Sequence, residues 1–219
     1  MRDPLEDAAE LFGACAAYRD DLRLVGGLAV RLHVGTSARQ TVDVDVVAMT
    51  EASRNGVLEQ LQAAGYRVGE SGGWWRAARR EAKGQRIVDV GPHPVVNPRT
   101  LDTVTLKEEP LVFSVGDTDV RAVGVNDLTL LKLVAGRDQD VVDVMLLSAH
   151  ASPAPARVAR NAELDDVERI VSRTAAAARA AAEGTRLELL SVELLGRPPT
   201  PQEIAAFSGL LQALKKEGL

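Results

Sequence analysis

The stretch that decides the fold is Thr41-Val42-Asp43-Val44-Asp45-Val46-Val47. Its residues alternate strictly between polar and apolar, which is typical of a strand with one buried face. The valines would share the face that needs a core, and Asp43 and Asp45 would share the other face with Thr41. Two carboxylates this close raise each other's pKa unless a cation lies between them. The stretch therefore predicts either a Mg²⁺ clamp or an edge strand with a solvated acidic face.

A second strand is predicted at Gln85-Arg86-Ile87-Val88-Asp89-Val90, closed by the turn-forming Gly91-Pro92. Asp89 again lies opposite an apolar pair. If the two strands are neighbours, its carboxylate faces the same side as Asp43 and Asp45. Three carboxylates can hold two metal ions about 3.5–4 Å apart. Asp89 therefore favours the metal site over the solvated face.

Two glycines precede these strands. The predicted strand Leu22-Arg23-Leu24-Val25 ends in Gly26-Gly27, and a helical stretch runs from Leu28 to about Val34. Glycines between a strand and a helix let phosphates approach the backbone amides of the helix N-terminus. A plain tight turn would explain the glycines alone, but the residues that follow them favour a phosphate cradle.

The rest of the chain reads as alternating strands and helices up to Leu147, followed by helices alone. This order predicts an α/β domain over residues 1–150 and a helical extension over residues 151–219. Asn126 is predicted to cap a helix that carries Lys132. The further predicted elements are helices at Leu5–Tyr18, Ser53–Ala64, Asn161–Glu183 and Thr200–Lys216, irregular strands within Ser71–Arg86, a loop at Pro92–Pro98, and strands at Leu111–Val115 and Asp119–Val123.

Composition narrows the class of protein. The net charge is −5 and aromatic residues make up 3% of the chain, which argues against a general nucleic-acid coat and against aromatic base-stacking platforms. Cys15 is the only cysteine, so an internal disulfide is excluded and a reducing cytoplasm is expected. No apolar run approaches the roughly 20 residues of a membrane span. We therefore expect a soluble cytoplasmic protein without membrane contact.

The motifs together resemble a known superfamily. Gly26-Gly27 with Arg39-Gln40-Thr41-Val42-Asp43-Val44-Asp45 resembles the signature of the polymerase-β-like nucleotidyltransferases. The segment from Leu131 to Val144, with Lys132, Asp140 and Asp143, is similar to the late motif of the AbiEii/AbiGii toxin branch. The resemblance covers about Leu22 to Leu147. It implies an α/β (α+β) nucleotidyltransferase fold, in which a small mixed sheet is flanked by helices.

The resemblance also implies roles for individual residues. Asp43, Asp45 and Asp89 would bind Mg²⁺ or Mn²⁺, and Asp89 would activate the acceptor hydroxyl. The other residues would contact the NTP: Gly26, Gly27, Arg39, Thr41, Lys132 and Asp143. One departure matters, because many members have Gly-Ser where this chain has Gly26-Gly27. A hydroxyl for the terminal phosphate is therefore missing.

The expected activity is transfer of a nucleoside monophosphate from an NTP to a hydroxyl, with release of pyrophosphate. The family resemblance implies that the acceptor is tRNA, that the protein is a growth-inhibiting toxin, and that an antitoxin is its partner. Two alternatives stay open: a small-molecule or protein acceptor, and a catalytically silent NTP-binding module. The cluster Arg76, Arg79, Arg80, Lys83 and Arg86 either binds triphosphate or RNA or is a solvated hairpin. Without the motif, Lys132 reads as a solvated lysine.

Overall fold

The computed structural model describes residues 3–82 and 84–219. They form two compact units. The first holds the described residues up to Ala29 together with Thr41–Val123, and the second holds Val30–Gln40 with Gly124–Leu219. The domain division at residue 150 stays a prediction. Lys83, which belongs to the predicted basic cluster, lies outside the described residues.

The first unit contains a mixed sheet. Its described residues form seven strands in the order β3-β4-β5-β2-β1-β9-β8, and a separate pair is made by β6 and β7. Strand β2 runs parallel to β5, and β1 runs parallel to β9, whereas the other neighbours are antiparallel. The strands are β1 Leu22–Leu24, β2 Val44–Ala48, β3 Arg67–Ser71, β4 Trp74–Glu81, β5 Gly84–Gly91, β6 Val95–Val96, β7 Thr103–Val104, β8 Leu111–Val115 and β9 Thr118–Ala122.

The predicted neighbours β2 and β5 are paired in the structure. Val44 lies opposite Val88 and Val46 opposite Val90, and all four valines are buried. Val42 was predicted to share this apolar face, and that prediction is wrong, since its side chain is 64% exposed. The reason is that the strand begins only at Val44.

The region predicted as irregular strands is regular instead. Strands β4 and β5 form a continuous antiparallel ladder from the Trp75 and Val90 pair to the Glu81 and Gly84 pair. Strand β3 pairs with the other edge of β4. The predicted loop Pro92–Pro98 contains the short strand β6.

Helices pack on this sheet. Helix α1, Pro4–Ala14, contacts β2, β8 and β9, and helix α3, Glu51–Ala63, contacts β2 through β5. Helix α1 is shorter than predicted because a 3₁₀ turn, Ala16–Asp21, follows it. Helix α3 begins at a capping box between Thr50 and Ser53. Helix α2, Gly26–Val34, begins at the first glycine rather than at Leu28.

The second unit is helical after Gly124. Its helices are α4 Val125–Ala135, α5 Asp138–His150, α6 Pro155–Leu164, α7 Glu168–Glu183, α8 Arg186–Leu195 and α9 Pro201–Lys216. Helix α9 and its capping box between Thr200 and Glu203 confirm the prediction. None of the helices in the described part of the chain is long and apolar enough to cross a membrane.

Two helix predictions in this unit are wrong, and one helix was not predicted. The single alanine-rich helix is two helices, and Asp166 between them has a left-handed φ of 57°. Asn126 does not cap α4, because Gly124 is the cap residue and the Asn126 side chain instead accepts the Ala154 N–H at 2.6 Å. Helix α8 was missed altogether.

Candidate active site

Three acidic side chains and one arginine meet on the sheet of the first unit. Asp45 on β2 lies directly opposite Asp89 on β5, which in turn lies opposite Arg76 on β4. Paired residues of neighbouring strands face the same side of a sheet. Asp43 precedes Asp45 by two residues, just before β2 begins. We call Asp43, Asp45, Asp89 and Arg76 the carboxylate cluster.

The pKa shifts in this cluster show that its charges act on one another. Burial raises the pKa of Asp43, and the charge of Asp89 raises it further, while Arg76 opposes both effects. The hydrogen bonds and charge of Asp89 raise the pKa of Arg76, and the charges of Asp43 and Asp45 add to this increase. The three carboxylates and the guanidinium of the cluster are therefore close enough to interact electrostatically.

Arg76 binds Asp89 with both arms of its guanidinium. Its Nε donates to Oδ1 at 2.9 Å and its Nη2 donates to Oδ2 at 2.6 Å. This is the bidentate geometry of a strong arginine–carboxylate pair. Sequence reasoning placed Arg76 in a basic cluster and missed its pairing with Asp89. The alternation of β4 was the available signal, but it needed the register between β4 and β5.

The predicted phosphate cradle lies against Asp45. Gly26 has a left-handed φ of +66°, and a Cβ added there would lie 1.9 Å from Oδ2 of Asp45. The N–H of Val25 also donates to the Asp45 carbonyl at 2.9 Å. Only glycine fits between the chain turn and this carboxylate, so Gly26 is required by Asp45 as well as by the predicted phosphate contact.

The carboxylate cluster has the ligand type of a metal site but not its geometry. Among the described residues, no group of three or more His, Cys, Asp or Glu is arranged to hold a metal ion. Asp45 contacts Gly26, and Asp89 is held by Arg76. The donor type nevertheless fits, because carboxylate oxygens are the ligands that Mg²⁺ prefers. The chain thus supplies suitable ligands, although their present geometry is not that of a bound ion.

Two other members of the predicted basic cluster, Arg79 and Arg86, are paired with acidic residues. Arg86 pairs with Asp7, Glu10 and Glu81, and its side chain is only 12% exposed. Arg79 pairs with Glu81 and lies over the Tyr66 ring, 4.7 Å from its centroid. These acidic partners offset the charges of Arg79 and Arg86, two of the residues that the sequence suggested for an RNA contact.

The second unit contains a separate set of charges, which we call the ion-pair network: Arg39, Lys132, Arg137, Asp140 and Asp143. Lys132 Nζ lies 3.1 Å from Asp140 and 2.7 Å from Asp143. Arg39 donates to both oxygens of Asp143, at 3.0 and 3.2 Å. Arg137 donates to both oxygens of Asp140, at 2.7 and 3.2 Å.

This network is largely buried. The side chains of Lys132, Asp140 and Asp143 are 4%, 1% and 0% exposed. Burial alone would raise the pKa of Asp140, but the charge of Lys132 and the bonds and charge of Arg137 lower it below its ordinary value. The interpretation of Lys132 as a solvated lysine is therefore wrong.

These residues meet across a break between two helices. The sequence placed Lys132, Gln139 and Asp143 on one face only if the helix were continuous, and Gly136 made a break possible there. Gly136 does end α4, with a left-handed φ of 61°, and α5 starts at Asp138. The turn brings Lys132 against Asp143 from a neighbouring helix. Thr41, the remaining predicted nucleotide contact, lies just before β2 and is partly buried.

Two histidines, His93 and His150, and the cysteine take structural positions. His93 Nε2 accepts the N–H of Leu106 at 3.1 Å, and His150 lies 3.5 Å from Glu203. Cys15 is buried, which raises its pKa to about 11. Cys15 therefore belongs to the core.

Two solved structures share the fold. One is an antigenic nucleotidyltransferase-like protein from Paracoccidioides brasiliensis, with 14% identity and a TM-score of 0.52; the match covers 86% of this chain and 91% of that one. The other is the antibiotic-resistance factor ANT(2'')-Ia, with 15% identity and a TM-score of 0.50, covering 84% of this chain and 100% of that one. The fold is that of the nucleotidyltransferases.

The family follows from the sequence itself. The model of the family described as nucleotidyl transferase AbiEii toxin, type IV toxin–antitoxin system, matches residues 10–208. The chain belongs to this family and is a nucleotidyltransferase. The predicted resemblance is thereby confirmed, and the match runs beyond Leu147 through most of the helices that follow. No curated protein sequence matches the chain.

Proposed function

We propose that this enzyme moves a nucleoside monophosphate from an NTP to an acceptor hydroxyl, using Mg²⁺ or Mn²⁺ held by Asp43, Asp45 and Asp89. The observation that carries the proposal is the charge of the carboxylate cluster, in which three carboxylates share one guanidinium. Such an excess of negative charge costs stability unless a cation balances it. A bound divalent cation would supply positive charge to the triphosphate and to the leaving pyrophosphate.

The protein's own residues would position and deprotonate the reactants. The acceptor oxygen attacks the α-phosphorus, the bond to the β-phosphate breaks, and pyrophosphate leaves. We propose that an Asp89 oxygen takes the acceptor proton, as the family resemblance implies. Support comes from Arg76, whose guanidinium orients the Asp89 carboxylate through both oxygens.

We propose two groups of residues around the nucleotide: the glycines of the phosphate cradle and the polar residues predicted from the motifs. Gly26 and Gly27 stay our proposal for the phosphate cradle, because they form the first turn of α2 and its amides favour anions. Arg39, Thr41, Lys132 and Asp143 stay predicted nucleotide contacts. Burial and mutual pairing support a positioning role for Lys132, Arg39 and Asp143, which would hold the segment before Asp43 in place.

We propose tRNA as the acceptor and an antitoxin as the partner. The family description supports the toxin role and, with it, an antitoxin. The tRNA acceptor depends on the resemblance alone. The net charge of −5 favours the alternative acceptors, a small molecule or a protein hydroxyl.

One experiment separates these acceptors. The protein is incubated with each NTP labelled at the α-phosphate, Mg²⁺, total tRNA and a cell extract, and the products are resolved on one gel and by thin-layer chromatography. Label on tRNA supports the proposal. Label on a protein or on a small molecule instead identifies that molecule as the acceptor. Nucleotide binding without transfer to any of them would identify a silent module.

A further inference from the structure

The exposed side of Asp89 is covered by Arg76. The Asp89 side chain is only 14% exposed, whereas that of Arg76 is 59% exposed. The guanidinium thus reaches Asp89 from the solvent side and engages both of its oxygens. A cation that approaches Asp89 from solvent therefore meets a positive charge first.

The backbone of Arg76 is fixed within the sheet, whereas its side chain is mostly exposed and is bound to Asp89 through the guanidinium. Arg76 lies inside β4, paired with Gly69 on β3 and with Asp89 on β5. Strands on both sides prevent the main chain from moving without breaking the sheet. Because the long side chain is mostly exposed, its guanidinium can leave Asp89 by rotation about side-chain bonds alone.

We propose that Arg76 is an exchangeable counterion: it neutralises Asp89 in the metal-free enzyme, releases it when the divalent cation binds, and then binds a phosphate of the NTP. This inference rests on the proposed function. Two cations cannot share the same carboxylate oxygens without strong repulsion, so metal entry favours release of the guanidinium. The planar fork of a released arginine matches phosphate oxygens as well as it matches a carboxylate.

The exchange predicts two effects of opposite sign. Removing the guanidinium in Arg76→Met should strengthen Mn²⁺ binding by about tenfold, because the competing cation is gone. The same change should weaken binding of a non-hydrolysable NTP, measured at saturating Mn²⁺, by about tenfold, because a phosphate contact is lost. A purely structural clamp on Asp89 would weaken both, since Asp89 would lose its orientation.

The test measures Mn²⁺ binding to the full chain by electron paramagnetic resonance and nucleotide binding by calorimetry. Arg80→Met is the matched control, because Arg80 is an exposed residue four positions along β4, about 13 Å away on the same face of the strand. It removes the same charge without contacting Asp89. We expect Arg80→Met to stay within about twofold of the wild type for both ligands. Arg76→Lys, which restores the charge without the fork, should bind Mn²⁺ almost as the wild type does and NTP less tightly.

The outcomes separate the two proposals. Unchanged or weaker Mn²⁺ binding by Arg76→Met, in a protein whose wild type binds Mn²⁺ and whose Asp45→Asn variant does not, overturns the exchange and leaves the proposed metal site intact. If neither the wild type nor Arg76→Met binds Mn²⁺, the metal site fails and the exchange fails with it. If Arg76→Met and Arg80→Met gain Mn²⁺ affinity equally, the gain reflects only the loss of one positive charge from the protein. That result would also overturn the exchange.

Discussion

The carboxylate cluster and the ion-pair network both combine aspartates with basic residues, but in opposite balance. The cluster holds three aspartates against one arginine whose side chain is 59% exposed. The network holds two aspartates against Arg39, Lys132 and Arg137, with both carboxylates and the lysine almost fully buried. Buried charges persist only when they are paired. The paired network is therefore suited to holding structure, and the unbalanced cluster is suited to binding a cation.

The largest expected effect is on catalysis at the carboxylate cluster. Asp43→Asn should lower nucleotidyl transfer by about 10⁴-fold, equivalent to ~5 kcal/mol, because a ligand for the cation is lost. Its free energy of unfolding should stay the same or rise, since burial and Asp89 already disfavour the charge on Asp43. Labelled-NTP transfer and urea unfolding measure the two effects. Asp117→Asn, in the exposed turn between β8 and β9, is the control for loss of one negative charge.

The second effect concerns stability in the ion-pair network. Asp143→Asn should lower the free energy of unfolding by about 3–5 kcal/mol, because it removes the charge that balances Lys132 and Arg39 in a buried site. Arg137→Ala should cost only about 1 kcal/mol, since its side chain is half exposed. If urea unfolding shows equal costs for both variants, or less than 1 kcal/mol for Asp143→Asn, the network is not the structural element described above.

The third effect compares two glycines with the same backbone conformation. Gly26 and Gly35 both have a φ of +66°, but a Cβ meets Asp45 at the first and nothing within 4 Å at the second. Gly35→Ala should therefore cost only the left-handed strain of about 1–2 kcal/mol. Gly26→Ala should cost about 1–3 kcal/mol more, because the Asp45 carboxylate must shift. It should also weaken Mn²⁺ binding, and equal behaviour of the two variants would exclude the contact with Asp45.

The smallest effect is the response to acid. The folded-state pKa of Asp140 is lowered from its ordinary 3.8, so the carboxylate contributes stability above pH 3.8 that is lost as the pH falls through the lower folded value. The pKa of Asp43 is raised, so its carboxylate should take up a proton at a higher pH than an ordinary aspartate. Carboxyl NMR titration of the metal-free protein should show the two shifts in opposite directions. Shifts in the same direction would contradict the contrast between the two regions.

Much of the cluster could be predicted from local pattern. The alternation from Thr41 to Val47 and around Asp89 indicated two strands with carboxylates opposite apolar pairs, and the structure pairs these strands side by side. The position of Arg76 could not be predicted, because it depends on how β4 and β5 align along the whole hairpin. Val42 is exposed because pairing between β2 and β5 begins only at Val44. The alternation of the sequence does not mark that boundary.

The ion-pair network could not be predicted from local sequence pattern, for a different reason. Lys132 and Asp143 lie eleven positions apart, and their contact depends on the left-handed turn at Gly136 between α4 and α5. Arg39 and Asp143 are 104 positions apart, and nothing in their surroundings predicts that they pair. The break at Asp166 was similarly hidden, since an alanine-rich stretch favours one long helix and no glycine or proline marks its interruption.

The most direct measurement is anomalous diffraction from a crystal of the full chain soaked with Mn²⁺ and a non-hydrolysable NTP. We expect a manganese peak about 2–2.5 Å from oxygens of Asp43 and Asp45, with nucleotide phosphate beside it and the Arg76 guanidinium moved off Asp89. A well-occupied nucleotide with manganese bound elsewhere, or with the carboxylates of Asp43 and Asp45 contacting neither ligand, would contradict the central claim that this cluster is the cation site of the enzyme.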